Sequence, residues 1–159
     1  VERLFLPVRC MHCDDPECLK ACPTGATKKR PDGIVTVDTA ECMGCRYCSL
    51  VCPYQARTFI AVEKRYFPEN GNRWESVRCG EHQVGTMEKC DFCHRRIDEG
   101  VARGLEPGRD PEATPMCVIA CIGKALHFGD LNDPESRVSQ LIRDRKGFRL
   151  KEEIGTEPS

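Results

Sequence analysis

The chain has 159 residues with 13 cysteines against one Trp, three Tyr and six Phe, so cysteine chemistry must supply order that a larger apolar core would otherwise give. Its 24 basic and 25 acidic side chains are interspersed and leave a net charge of −1, which excludes the clustered basic footprint of a nucleic-acid binder; Lys28-Lys29-Arg30 and Arg95-Arg96 read as solvated faces or cysteine neighbours. No apolar run approaches the ~20 residues of a membrane span, so membrane association would have to come through a partner.

Three uses of so many cysteines compete: disulfides, structural zinc and iron–sulfur clusters. The odd count and an N-terminal stretch, VERLFLPVRCMHC, with no apolar h-region or A-x-A cleavage site both weigh against a disulfide framework. The first cysteine group is CMHCDDPECLKACP, with Cys10, Cys13, Cys18 and Cys22 followed by Pro23. The second is CMGCRYCSLVCP, with Cys42, Cys45, Cys48 and Cys52 followed by Pro53. Its C-x2-C-x2-C-x3-C-P spacing is the bacterial ferredoxin run for [4Fe–4S] ligation. Three cysteines in a tight loop reach three irons of one cubane, and the chain then turns away before the fourth. In two-cluster ferredoxins that fourth cysteine crosses to the other cluster. On this logic one cluster takes Cys10, Cys13, Cys18 and Cys52, and the other takes Cys42, Cys45, Cys48 and Cys22. Zinc fits poorly here, because an all-cysteine zinc site is usually built from two separated C-x2-C pairs.

Between the groups, Pro31-Asp32-Gly33 signals a turn and Ile34-Val35-Thr36-Val37 a short strand; ARTFIAVE supplies another strand after the second group. Cysteine loops, short helices and strand pairs of this kind make an α+β fold, a pseudo-twofold ferredoxin-like domain with two [4Fe–4S] clusters over residues 1–62. An internal repeat supports it: Ala26 follows Cys22 by four residues, as Ala56 follows Cys52. Gly44 permits close backbone approach and N–H···S hydrogen bonds. His12 and His94, each beside a cysteine, read as second donors or exposed rings rather than ligands. Tyr47, Tyr54 and Phe92 read as packing that shields a cluster.

Residues 63–89 are polar and glycine-bearing and read as an insertion or linker, with Cys79 as a free or buried thiol. Over residues 90–130 the repeat returns. Cys90, Cys93, Cys117 and Cys121 form a further group, with a Gly- and Pro-rich loop between its second and third members; Ala125 follows Cys121 by four residues and the strand-like Leu126-His127-Phe128 comes next. It departs from the others by that insertion and by Ile122 in place of proline. Alone, the spacing also admits structural zinc; beside the first two groups it favours half of a second ferredoxin-like domain, loop-rich. Reciprocity then makes a demand: Cys90, Cys93 and Cys117 would hold a third cluster that lacks a thiolate, and Cys121 would donate into a fourth. The chain is short by one cysteine run. In residues 131–159, Asp133 as N-cap, Pro134 at the first helical position, Glu135 and Gly147 frame a helix, and Val138, Leu141 and Ile142 form its apolar stripe. The tail after it is expected to dock or be mobile.

Taken together, RCMHCDDPECLKACPTGA, GIVTVDTAECMGCRYCSLVCPYQAR, EKCDFCHRRIDEG and HFGDLNDPESRVSQL resemble the four-cluster ferredoxin-type iron–sulfur (beta) subunits of molybdopterin oxidoreductases. Members serve dimethyl sulfoxide, polysulfide, thiosulfate and tetrathionate reductases and formate dehydrogenases. The resemblance implies that these are groups two, three and four of four, and that the chain, beginning at Val1, is truncated at its N-terminus. It implies two complete [4Fe–4S] clusters here and up to four in the full-length protein. It also implies a molybdopterin catalytic subunit and an integral membrane anchor as partners, and a peripheral place at the cytoplasmic membrane, more in keeping with its periplasmic face. No acid–base or nucleophile constellation accompanies the cysteines, so the expectation is an electron-transfer subunit with no active site of its own. The alternative is a free-standing two-cluster ferredoxin carrier whose C-terminal cysteine module is zinc-bound or empty.

Overall fold

The computed structural model describes residues 3, 5–63, 67, 72, 73, 75 and 82–159. They fall into two compact units, Val1–Cys90 and Asp91–Ser159. Cys79, and with it the reading of its thiol, lies outside the described residues.

In the first unit, helix α1 (Glu17–Lys20) starts after Pro16, with Glu17 in its first turn and Lys20 in its last, as the helix dipole favours. Strand β1 (Thr27–Lys29) pairs antiparallel with β2 (Val35–Val37), with Thr27 opposite Val37 and Lys29 opposite Val35. The hairpin closes as the Pro-Asp-Gly signal requires. Gly33 takes φ +82° and donates its N–H to Arg30 O at 3.0 Å, while Asp32 Oδ1 accepts from the Ile34 N–H at 3.2 Å. Ala26, Ile34 and Val35 are the buried apolar residues of this hairpin. Helix α2 (Tyr47–Leu50) packs against α1.

Strand β3 (Thr58–Phe59) is shorter than the apolar run around it, and its partner is β4 (Met87–Glu88). β4 lies inside the segment read as linker. Thr86 and Met87 are among the most fully buried side chains, a two-residue island that a polar neighbourhood conceals.

In the second unit, helix α3 (His94–Ala102) packs on a 3-10 turn at Pro111–Ala113. Arg96 ties the two by donating to Thr114 O at 2.9 Å and Pro111 O at 2.7 Å. Helix α4 (Met116–Ile119) follows, and then α5 (Arg137–Arg145). The cap of α5 differs from expectation. Ser136 is the N-cap, its Oγ accepting from the Ser139 N–H, whereas Asp133 Oδ1 accepts from the Glu135 N–H at 2.8 Å. Asp133 thus caps a turn that contains Pro134, and the helix begins one turn later. Val138 and Leu141 are half-buried and Ile142 is exposed, so the stripe is only partly covered. Leu126–Phe128 is not a strand: it forms no ladder, and Phe128 instead meets Phe92 edge to face at 5.1 Å. The tail ends in a 3-10 turn at Glu152–Ile154 and a buried Thr156, so it is docked.

Among the described residues no helix is long and apolar enough to cross a membrane.

Candidate metal centres

The opening C-x2-C loop of each cysteine group bends the same way. The residue before its second cysteine takes a left-handed conformation: His12 at φ +43°, Gly44 at +72° and Phe92 at +55°. Such backbone costs about 1–2 kcal/mol for a non-glycine residue and persists where surroundings over-determine it. The fourth cysteines are followed by a shared turn as well. Gly25 donates to Cys22 O at 3.3 Å, Gln55 to Cys52 O at 3.1 Å and Lys124 to Cys121 O at 3.0 Å. All three donors have positive φ. Ile122 therefore leaves the turn intact, because proline is favoured at that position and not required.

Cys22 comes from the first group yet lines one cavity with Cys42, Cys45 and Cys48 of the second. The α1–α2 packing brings it there. Thr27 N–H donates to Cys22 Sγ at 3.4 Å, and the Thr24 hydroxyl lies 3.7 Å from the same sulfur. Burial pushes the Cys22 thiol up, but these donors outweigh it and bring it from 9.0 down to about 7. Cys48 goes the other way: burial raises it, against the opposing pull of the Arg57 guanidinium. Gly44 is held against the segment leading into β4, where an added Cβ would lie 2.0 Å from Gly85 O. Arg46 stacks on β3, its guanidinium 3.7 Å from the centre of the Phe59 ring. Among the described residues no three His, Cys, Asp or Glu side chains come close enough together for one metal ion. Thiols spread around a cavity, with backbone N–H groups on sulfur, fit a polynuclear cluster better than the tight tetrahedral shell of zinc.

Cys18 accepts a hydrogen bond from the Arg57 guanidinium at 3.0 Å. Arg57 is buried at 8% exposure, and its other terminal nitrogen donates to Thr27 Oγ1 at 3.2 Å. Burial alone would lower its pKa, but the sulfurs of Cys18, Cys48 and Cys10 more than offset this and raise it. Lys89, half-buried, donates to Val35 O and Cys90 O; burial lowers its pKa, with Cys10 opposing. Cys13 and Cys52 are half-buried thiols of the same unit. His12 is buried and its Nδ1 accepts from the Val35 N–H at 3.0 Å, so in the neutral ring Nε2 carries the proton. That bond pins the first loop to β2.

Cys90 closes the first unit, and Cys93, Cys117 and Cys121 lie in the second. Cys93 is the N-cap of α3, and Asp91 braces it by accepting from Cys93 N–H at 2.8 Å and meeting His94 Nδ1 at 2.9 Å. Cys117 sits in α4. Cys121 receives the Ala125 N–H at 3.2 Å, and backbone donors lower its pKa. Among the described residues no disulfide joins any two cysteines. Of the expected shielding rings, Tyr54 is buried while Tyr47 is half in solvent.

Sequence reasoning missed Arg57, Lys89, Gly85 and Met87. For Arg57 a signal was present: the repeat that equates Ala26 with Ala56 also equates Thr27 with Arg57, and those two side chains touch.

Residues 1–66 match the family described as 4Fe-4S dicluster domain. The chain is 42% identical over 171 residues to a selenate reductase subunit of Mesobacillus selenatarsenatis, an alignment covering 100% of this chain and 54% of that protein. It is 38% identical over 161 residues to the menaquinone reductase iron-sulfur cluster-binding subunit of Nitratidesulfovibrio vulgaris, covering 97% of this chain and 63% of that one. Against the arsenate respiratory reductase iron-sulfur subunit ArrB of a Shewanella species it is 34% identical over 189 residues, covering 99% and 74%. The chain spans about half the length of several curated relatives it matches.

Proposed function

The chain belongs to the family of [4Fe–4S] iron–sulfur subunits of respiratory reductase complexes, and on that premise we propose that it relays single electrons between a molybdenum catalytic subunit and a membrane or quinone partner. The observation that carries this is the cavity in which Cys22 joins Cys42, Cys45 and Cys48, the crossing that a two-cluster wire requires. By reciprocity Cys10, Cys13, Cys18 and Cys52 ligate the other cluster of the first unit. Cys90, Cys93 and Cys117 are ligands of a third and Cys121 of a fourth, each completed by cysteines of a group outside these residues. When bound, such clusters supply one-electron redox chemistry at potentials set by hydrogen bonds to sulfur, local charge and solvent exposure.

The protein's own residues do the rest. Thr27 N–H, Thr24 and Ala125 N–H stabilise anionic sulfur. The left-handed residues His12, Gly44 and Phe92 shape the ligand loops. Met87, buried at 1% exposure, walls the second site against water. Relatives named as subunits of selenate, menaquinone and arsenate reductases support a larger catalytic partner. The quinone-linked relative supports an integral membrane anchor and a peripheral place at the cytoplasmic membrane; its periplasmic face is our reading from the family resemblance alone.

Iron and acid-labile sulfide analysis of anaerobically purified protein tests the reading, followed by a redox titration. The expected result is iron and sulfide in equal amounts with one-electron reduction of each centre. Zinc without sulfide would overturn it.

A further inference from the structure

The two complete sites of the first unit are not electrostatically equal. Arg57 is buried, and it reaches cysteines of both. Its guanidinium donates to Cys18 Sγ of the first site at 3.0 Å and also pulls on Cys48 of the second. Thr27, which holds the other arm of the fork, gives its backbone N–H to Cys22 of the second site. The pair Thr27–Arg57 is the repeat meeting itself between the sites. Lys89, whose ammonium donates to Val35 O and Cys90 O, lies within electrostatic reach of Cys10 and Cys18.

We propose that Arg57 is a redox-positioning residue: a fixed buried cation that raises the reduction potential of the Cys10/Cys13/Cys18/Cys52 site above that of the Cys42/Cys45/Cys48/Cys22 site. This rests on the cluster reading above. On reduction a site takes up one electron, no bond forms or breaks, and its charge becomes more negative by one. A neighbouring guanidinium favours that more negative state, as a nearby cation favours a carboxylate by roughly 1–3 pKa units. Arginine suits the task because it stays charged at every accessible pH, and burial spares it from salt screening. The guanidinium also lines the cavity of the second site and pulls on Cys48, and the 3.0 Å bond to Cys18, with Lys89 within electrostatic reach of Cys10 and Cys18, is what assigns the larger effect to the first. Electrons that reach this pair settle on the first site before the second.

The test is an anaerobic dithionite titration of the holoprotein followed by EPR, with each centre assigned by the resonance that Cys13→Ser or Cys45→Ser alters. The first site should titrate at the higher potential. Arg57→Gln should lower its reduction equilibrium constant about tenfold or more, equal to 59 mV for a one-electron couple, and lower the second site's by less. Arg57→Lys, which keeps the charge, should recover most of that change. Thr27→Val, which frees one arm of the guanidinium, should give a smaller shift of the same sign and decides the matter should Arg57→Gln not assemble. Unchanged potentials in Arg57→Gln or Thr27→Val at wild-type iron content would overturn the proposal, as would a larger shift at the second site. Wild-type protein without iron and sulfide would overturn the cluster reading itself, a separate outcome.

Discussion

Replacing Gly44 with alanine should destabilise the first unit by roughly 3 kcal/mol. The new Cβ would stand 2.0 Å from Gly85 O and 3.2 Å from Phe59 Cε2, so the Gly85 segment or the Cys42–Cys45 loop must shift by about 1.4 Å to restore ordinary packing at 3.4 Å. That segment is held by two backbone bonds, Gly85 N–H to Ile60 O at 2.8 Å and Ile60 N–H to Thr86 O at 3.0 Å. Losing them costs about 1 kcal/mol each, and alanine at φ +72° adds about 1 kcal/mol. Gly25→Ala is the internal control. Gly25 has a similar φ of +71° with nothing within 4 Å of its added Cβ, and Gln55 and Lys124 occupy the equivalent turn positions without glycine. It should therefore cost about 1 kcal/mol or less. Anaerobic urea titration of the cluster absorbance reads both. At a slope near 2 kcal/mol/M, Gly44→Ala should lower the midpoint by about 1.5 M and Gly25→Ala by no more than about 0.5 M. Equal midpoints for the two variants would refute the reasoning, because the contacts of the added Cβ with Gly85 and Phe59 are what separate them.

Three further outcomes are expected. In cluster-free protein, Cys22, held near pKa 7 by Thr27 and Thr24 against burial, should alkylate with iodoacetamide half-maximally near neutral pH, while burial holds Cys48 back until pH exceeds 9; mass mapping of labelled peptides across pH checks the order. His12→Ala should cost about 2–4 kcal/mol, since it empties a buried site and strips the Val35 N–H of its acceptor. Iron stoichiometry should nevertheless stay at the wild-type value, as a ligand's loss would not allow. Ser136→Ala should fray α5 by about 1 kcal/mol, visible as faster amide exchange at Ser139, whereas Asp133→Ala should leave that amide unchanged.

What could be read in advance was what spacing encodes. A C-x2-C loop or the turn after a fourth cysteine is determined by its own few residues, and so the left-handed loops, those turns and the Pro31–Gly33 hairpin form where the spacing places them. What depended on a distant partner could not. Met87 finds its burial only by pairing with Phe59, across a polar stretch that hides it. Leu126–Phe128 has strand composition but, among the described residues, no neighbouring strand to satisfy it, and Phe128 packs on Phe92 instead. Asp133 and Ser136 are both good caps, and which one begins the helix was settled by the turn through Pro134. Nothing in its immediate neighbours marks Arg57 until the fold brings it onto Thr27 and Cys18.

The crossing of the fourth cysteines is the claim on which the wire depends, and paired ligand variants examined by EPR test it most directly. Cys22→Ala and Cys45→Ala should alter the same resonance, while Cys52→Ala and Cys13→Ala alter the other. If Cys22→Ala instead perturbs the centre that Cys13→Ala perturbs, each cysteine group holds its own cluster and the crossed wire is wrong.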